Sequence, residues 1–173
     1  CIIGGSKIST KIDVITNLAS KYNNIIIVGA MANNFIKFNG HNIGKSFFET
    51  NSDYIIKDIY DKAKINQCKI FCPTDFSVGK SLKDTSKNKK INEIENDDLI
   101  LDIGLETIAS VKNIINNSKT ILWNGPAGYF ENENFAIGSY EIAKEISNKT
   151  NDNKLFSVIG GGDTVAVLNK LNL

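Results

Sequence analysis

The chain has 173 residues, 42% hydrophobic and 23% charged, which are the values of a globular domain with its own core and exclude a disordered segment. Its net charge of +1 provides no bulk field for nucleic acid or an anionic membrane, so neither is expected as a partner. All 20 basic residues are lysine, so guanidinium forks are excluded and any anion must be held by amines and backbone amides.

The chain opens inside an apolar run, Cys1-Ile2-Ile3, without an initiator methionine, which predicts a piece of a larger protein. Gly4-Gly5-Ser6-Lys7 follows, and Ile8, Ile12, Ile15, Leu18 and Ala19 then recur at helical intervals. The run Ile25 to Val28 reads as a strand, ended by Gly29-Ala30-Met31 and followed by a helix through Phe35. Extended over Gly29 to Ala32, it is the longest apolar run and is far too short to span a membrane.

Ile55, Ile56, Ile59, Tyr60 and Ala63 predict a helix leading to the strand Lys69 to Cys72, which Pro73 ends. Leu105, Ile108, Val111 and Ile115 predict another, leading to Thr120 through Trp123 and then Asn124-Gly125-Pro126. Tyr140, Ala143 and Ile146 mark the next, before the strand Phe156 to Ile159, the turn Gly160-Gly161-Gly162-Asp163 and a last helix. Strands alternating with helices require right-handed crossovers and give a mostly parallel sheet covered on both faces. The expected fold is therefore α/β, a three-layer α/β/α Rossmann-like domain.

One stretch breaks this rhythm. Thr74 to Asp98 is dominated by Lys, Asp, Asn and Ser, and reads as a solvated loop or an edge hairpin. Three cysteines without regular spacing argue against a disulfide framework and for reduced thiols in a cytosolic protein. Gly40 to Ser46 looks like a phosphate-binding Walker loop but has one residue too few between its glycines and follows helical sequence, so it reads as an ordinary loop. His41, the only histidine, has no companion for a zinc site.

In an open parallel sheet, ligands bind beyond the carboxyl ends of the strands, and four of the five predicted strands end there in glycine-bearing turns. Glycine lets the backbone approach a ligand, and a following helix presents free N–H groups and the positive end of its dipole. A phosphate site is the inference. Lys7 and Lys11, four residues apart at an expected helix start, place two amines where the dipole disfavours them, as if awaiting an anion. Asp163 reads as the N-cap of the last helix, as a Mg²⁺ ligand beside bound phosphate, or as both.

Gly4-Gly5-Ser6-Lys7-Ile8-Ser9-Thr10-Lys11, Gly29-Ala30-Met31-Ala32, Trp123-Asn124-Gly125-Pro126-Ala127-Gly128-Tyr129-Phe130-Glu131 and Gly160-Gly161-Gly162-Asp163-Thr164 together resemble phosphoglycerate kinase, in that family's order and approximate spacing. The resemblance covers residues 1–173 and corresponds to the nucleotide-binding carboxyl-terminal lobe. It implies that an amino-terminal lobe for 3-phosphoglycerate and a closing carboxyl-terminal segment are missing.

The reaction it implies is phosphoryl transfer from 1,3-bisphosphoglycerate to MgADP, giving 3-phosphoglycerate and MgATP, in the cytoplasm, by a monomeric full-length parent. It further implies that Lys7 stabilises the transferring phosphoryl group and Lys11 holds nucleotide phosphates. Gly161, Gly162 and Thr164, with Gly160 in the same turn, would supply amides or a hydroxyl, and Asp163 the Mg²⁺ ligand. Asn124 would lie near the phosphates and Glu131 would hold the ribose hydroxyls. Gly5, Ser6, Gly29, Ala30, Phe47, Leu101, Pro126, Gly128 and Tyr129 would line an adenosine pocket, with Ser6 and Tyr129 standing where the family often has Ala and Val.

Two other functions compete. A nicotinamide-dependent oxidoreductase would need a G-x-G-x-x-G turn after the first strand and an acidic residue ending the second, and the chain has neither. A non-catalytic nucleotide-binding module is compatible with the same motifs, and the chain by itself is expected to be inactive.

Overall fold

The computed structural model describes residues 1–173. In chain order the elements are β1 (Ile2–Ile3), α1 (Ile12–Ala19), β2 (Asn24–Ile27), α2 (Ala32–Phe38), α3 (Asp53–Ile65), β3 (Lys69–Phe71), β4 (Asp75–Gly79), β5 (Lys87–Lys90), β6 (Leu99–Ile103), α4 (Leu105–Asn116), β7 (Thr120–Asn124), α5 (Ile137–Asn151), β8 (Phe156–Gly160) and α6 (Gly162–Leu171). Five strands form one parallel sheet in the order β3-β2-β1-β7-β8.

Strand alternation divides the core in two. Ile3, Ile25 and Ile27 point to one face, where they pack with Ile15, Phe35 and Ile59 from α1 to α3. Ile2, Ile26 and Val28 point to the other, joining Trp123, Val111, Ile142 and Val167 from β7 and α4 to α6. Each such side chain contributes about 1.5 to 3 kcal/mol when fully buried, which is why a near-continuous isoleucine run makes a strand here. The three-layer α/β/α architecture is as the alternation of elements predicts.

The stretch Thr74 to Asp98 contains the edge hairpin expected as one of its two readings, but it is more than that. It is no mere loop: β4 and β5, joined by β6, form a second sheet of three antiparallel strands in the order β5-β4-β6. Lys87 to Lys90 is its exposed edge strand, but Phe76 and Val78 of β4 lie in the core, each 1% exposed. Asp75 is buried because it has work at a helix end: its carboxylate accepts N–H bonds from Glu106 at 2.9 Å and Thr107 at 2.7 Å, capping α4. Burial alone would raise its pKa, but these bonds, with those from the Thr107 hydroxyl and Asn88, hold it below the usual carboxylate value. Asp98, also buried, is held by Lys80 at 2.9 Å and Lys89 at 2.8 Å. Polar composition hid this sheet because its charges are consumed internally.

The topology fixes where a ligand can enter. From β1 the chain moves outward to β2 and β3, then returns to place β7 on the other side of β1. The turns after β1 and β7 therefore diverge to opposite faces and open a crevice at the carboxyl edge. Gly40 to Ser46 is a loop between α2 and α3, as expected, packed where a side chain on Gly44 would meet the Glu95 and Asp98 carbonyls.

Candidate phosphate and nucleoside site

The turns after β1 and β7 touch backbone to backbone. A Cβ on Gly4 would collide with the carbonyls of Gly125 and Pro126, and one on Gly125 would collide with Gly4. Only two glycines allow the crevice to close this tightly, and Gly125 also has φ +102°.

A polar trough opens above this contact. It is lined by Gly4, Gly5, Ser6, Lys7, Thr10, Lys11, Asn124, Gly125, Pro126, Gly161, Gly162, Asp163 and Thr164. Lys7 and Lys11 both reach it, though not as one helix face. The first turn of α1 begins only at Ile12, with Lys11 at its cap, because Ile8 is drawn into the core and Ser9 is tied to Glu49. The lysines meet through a folded turn, in which Lys11 N–H bonds Ile8 O at 2.9 Å and the Thr10 hydroxyl bonds Lys7 O at 2.9 Å. Lys11 Nζ donates to Asn124 Oδ1 at 2.9 Å, leaving the Asn124 amide hydrogens and two ammonium protons for a ligand.

The far wall is the start of α6. Gly161, with φ +90°, is its N-cap, so the expectation that Asp163 caps the helix is corrected: Asp163 sits in the first turn and makes no capping bond. The left-handed Gly161 turns the chain so that the N–H groups of Gly162, Asp163 and Thr164 have no acceptor within the chain. Of Thr164, the amide is free but the hydroxyl is not. Its hydroxyl is fully buried and accepts from Gly125 N–H at 2.7 Å, bracing the β7 turn from below. Gly160 lines neither cavity; as the last residue of β8 it pairs with Asn124, whose amide would crowd any side chain there.

Sharing Gly5, Ser6, Pro126 and Asp163 with the trough is a second, more apolar cavity of about 350 Å³. Gly29, Ala30, Phe47, Leu101, Gly128, Tyr129 and Glu131 all line it. Glu131 is exposed, and its carboxylate has no partner within the chain. The arrangement can seat a planar apolar group in one cavity and a polyanion in the other, with a carboxylate at each. Asp163 forms no salt bridge or hydrogen bond in the chain; one free carboxylate beside phosphate oxygens and water is the donor set that suits Mg²⁺.

Several contributors escaped the sequence. Asn33, 1% exposed, lines the larger cavity and donates to Phe47 O at 2.9 Å. Asp102 lies beneath Gly128, accepting from Gly138 N–H at 2.7 Å and Ile103 N–H at 2.9 Å. Burial pushes its carboxyl up to about 7, against the pull of those two bonds. In a chain rich in asparagine and acidic residues, neither carried a local signal.

Comparison with known proteins agrees with this geometry. The family model for phosphoglycerate kinase matches residues 1–173. This chain belongs to the phosphoglycerate kinase family. It is 47% identical over 173 residues to the phosphoglycerate kinase of Wolbachia pipientis subsp. Culex pipiens, covering 99% of this chain and 44% of that protein. It is 42% identical over 170 residues to the enzyme of Zymomonas mobilis, covering 97% of this chain and 43% of that one. The solved phosphoglycerate kinase of Coxiella burnetii superposes with a TM-score of 0.93 at 36% identity, over 99% of this chain and 44% of the other. The chain thus spans less than half the length of these phosphoglycerate kinases. No helix is long and apolar enough to cross a membrane.

Proposed function

We propose that this chain is the nucleotide-binding half of a phosphoglycerate kinase, residues 1–173 forming one lobe that works with an amino-terminal 3-phosphoglycerate lobe and a further carboxyl-terminal segment. The observation that carries this is the continuity of the two cavities, which joins a partly apolar pocket ending in Glu131 to a trough carrying Lys7, Lys11, Asn124, Asp163 and three free amides.

In this reading the adenosine of MgADP lies among Gly29, Ala30, Phe47, Leu101 and Tyr129, and Glu131 accepts from the ribose hydroxyls. Lys11 and Asn124 hold the phosphates as one unit, and Asp163 would hold the Mg²⁺ of the nucleotide. The metal, when bound, neutralises phosphate charge. Lys7, exposed and unpaired, is left for the phosphoryl group in flight, together with the Gly161 and Gly162 backbone. An acyl phosphate and ADP meet as anions already, so no general base is needed, and the one carboxylate lining the trough, Asp163, is left for the metal. Catalysis is then positioning and charge neutralisation, about 3 to 4 kcal/mol for each well-aimed donor in a closed, dry site.

A single lobe leaves this trough open to water and lacks the site for the acyl phosphate. The 173-residue chain is accordingly inactive alone, acts in a cytoplasmic, monomeric parent, and retains nucleotide binding. Calorimetric titration with MgADP tests this: wild-type chain binds, and Asp163→Ala loses about tenfold in affinity for MgADP but not for ADP in chelator. Absence of any MgADP binding, or ATP formation by the isolated chain, overturns it.

A further inference from the structure

Glu49 lines neither the trough nor the larger cavity, yet it grips the turn that carries Lys7. The Ser9 N–H donates to its Oε2 at 2.9 Å and the Ser9 hydroxyl to its Oε1 at 2.6 Å, across 40 residues of sequence. The backbone of Glu49 is held as firmly. Asn34 on α2 donates to Glu49 O at 2.8 Å and accepts from Glu49 N–H at 3.3 Å, while the Ser52 hydroxyl also donates to Glu49 O at 3.0 Å. Asn34 is 2% exposed, so this anchor is set inside the core. Two residues before Glu49, Phe47 lines the larger cavity, its carbonyl fixed by Asn33. A single pinned segment therefore forms part of the pocket wall at one end and clamps the lysine turn at the other.

We infer that Glu49 is a positioning residue for Lys7, coupling the wall of the nucleoside pocket to the phosphoryl-transfer lysine. The inference rests on the function proposed above. The bidentate clamp is charge-assisted; an amide in its place can still accept from the Ser9 N–H and donate to the Ser9 hydroxyl, but it lacks the charge that shortens and strengthens both bonds. The Lys7 ammonium has no ion pair or hydrogen bond of its own, so the position of its Cα, together with the nearby Glu49 charge, is what aims it. Burial disfavours the Glu49 charge, but the two Ser9 bonds and the nearby Lys7 charge outweigh this and keep the carboxyl below its usual value. The clamp is therefore ionised throughout the neutral range.

The test is steady-state kinetics of the complete kinase carrying Glu49→Gln, Glu49→Asp and Ser9→Ala, each with a thermal melt. Glu49→Gln should lower kcat roughly 10- to 100-fold, as a misplacement of about an ångström does, while KM for MgADP moves less than about twofold. Glu49→Asp should recover part of the loss. In a Lys7→Ala background, Glu49→Gln should cost no more than about a further twofold, because nothing remains to be aimed. An unchanged kcat, an equal loss in the Lys7→Ala background, or a rise in KM with intact kcat overturns the inference. If the wild-type protein forms no ATP from 1,3-bisphosphoglycerate and MgADP, the parent reading fails and takes this one with it; an active wild type with an indifferent Glu49→Gln sinks this inference alone.

Discussion

The Lys11 ammonium lies 2.9 Å from the Asn124 side-chain oxygen, joining turns 113 residues apart in sequence across the switch point of the sheet. Lys7, in the same trough, has no such tether. The two lysines should therefore fail differently. Lys11→Ala removes a donor fixed before the nucleotide arrives and should weaken MgADP binding about tenfold by calorimetry, equivalent to about 1.4 kcal/mol. Lys7→Ala in the complete kinase should leave that affinity within about twofold and lower kcat about 100- to 1,000-fold. Equal effects of both changes on affinity would contradict the division of labour.

Two glycines at the site should separate stability from binding. A methyl at Gly125 meets the Gly4 backbone and carries φ +102°, so Gly125→Ala should lower unfolding free energy by about 3 kcal/mol or more in urea melts. Gly162 is in the first turn of α6, and an added Cβ meets no atom within 4 Å. Gly162→Ala should raise stability by about 0.4 to 1 kcal/mol, since it restricts the unfolded chain, yet weaken MgADP binding by crowding the amide wall. A Gly162→Ala chain that binds as tightly as wild type would remove this residue from the site.

Asp102 should make stability depend on pH in an unusual direction. Its folded pKa is raised to about 7 from 3.8 by burial, so between those values the folded state holds a proton that the unfolded state has released. Stability from this group is greatest below about pH 4 and declines as pH rises toward 7. Comparison with Asp102→Asn isolates the carboxylate, because every other titrating group is common to both chains. The variant's melting temperature relative to wild type should climb from pH 4 to pH 7 and then level off. A difference that stays flat over this range would show that Asp102 is already charged at low pH.

Much of this protein could be read before it was folded. Short apolar, β-branched runs ended by glycine or proline predicted the five parallel strands, and helical spacing located α3, α4 and α5, because burial on a sheet face imposes a period that any chain must satisfy. The glycine turns also named most of the trough, since a backbone that must approach a ligand or another turn has few residue types to choose from.

What escaped was whatever depends on partners far along the chain. The strand Asp75–Gly79 looked like solvated sequence because Asp75 and Asp98 find their donors at Thr107, Lys80 and Lys89, contacts that no local pattern encodes. Lys7 and Lys11 were assigned to one helix face by spacing, whereas Ile8 entering the core and Ser9 bonding Glu49 turn that segment into a folded loop. Periodicity and glycine placement are consequences of local backbone geometry and so are written in the sequence. Which carboxylate clamps which turn is decided by long-range packing, and it exists only once the layers have come together.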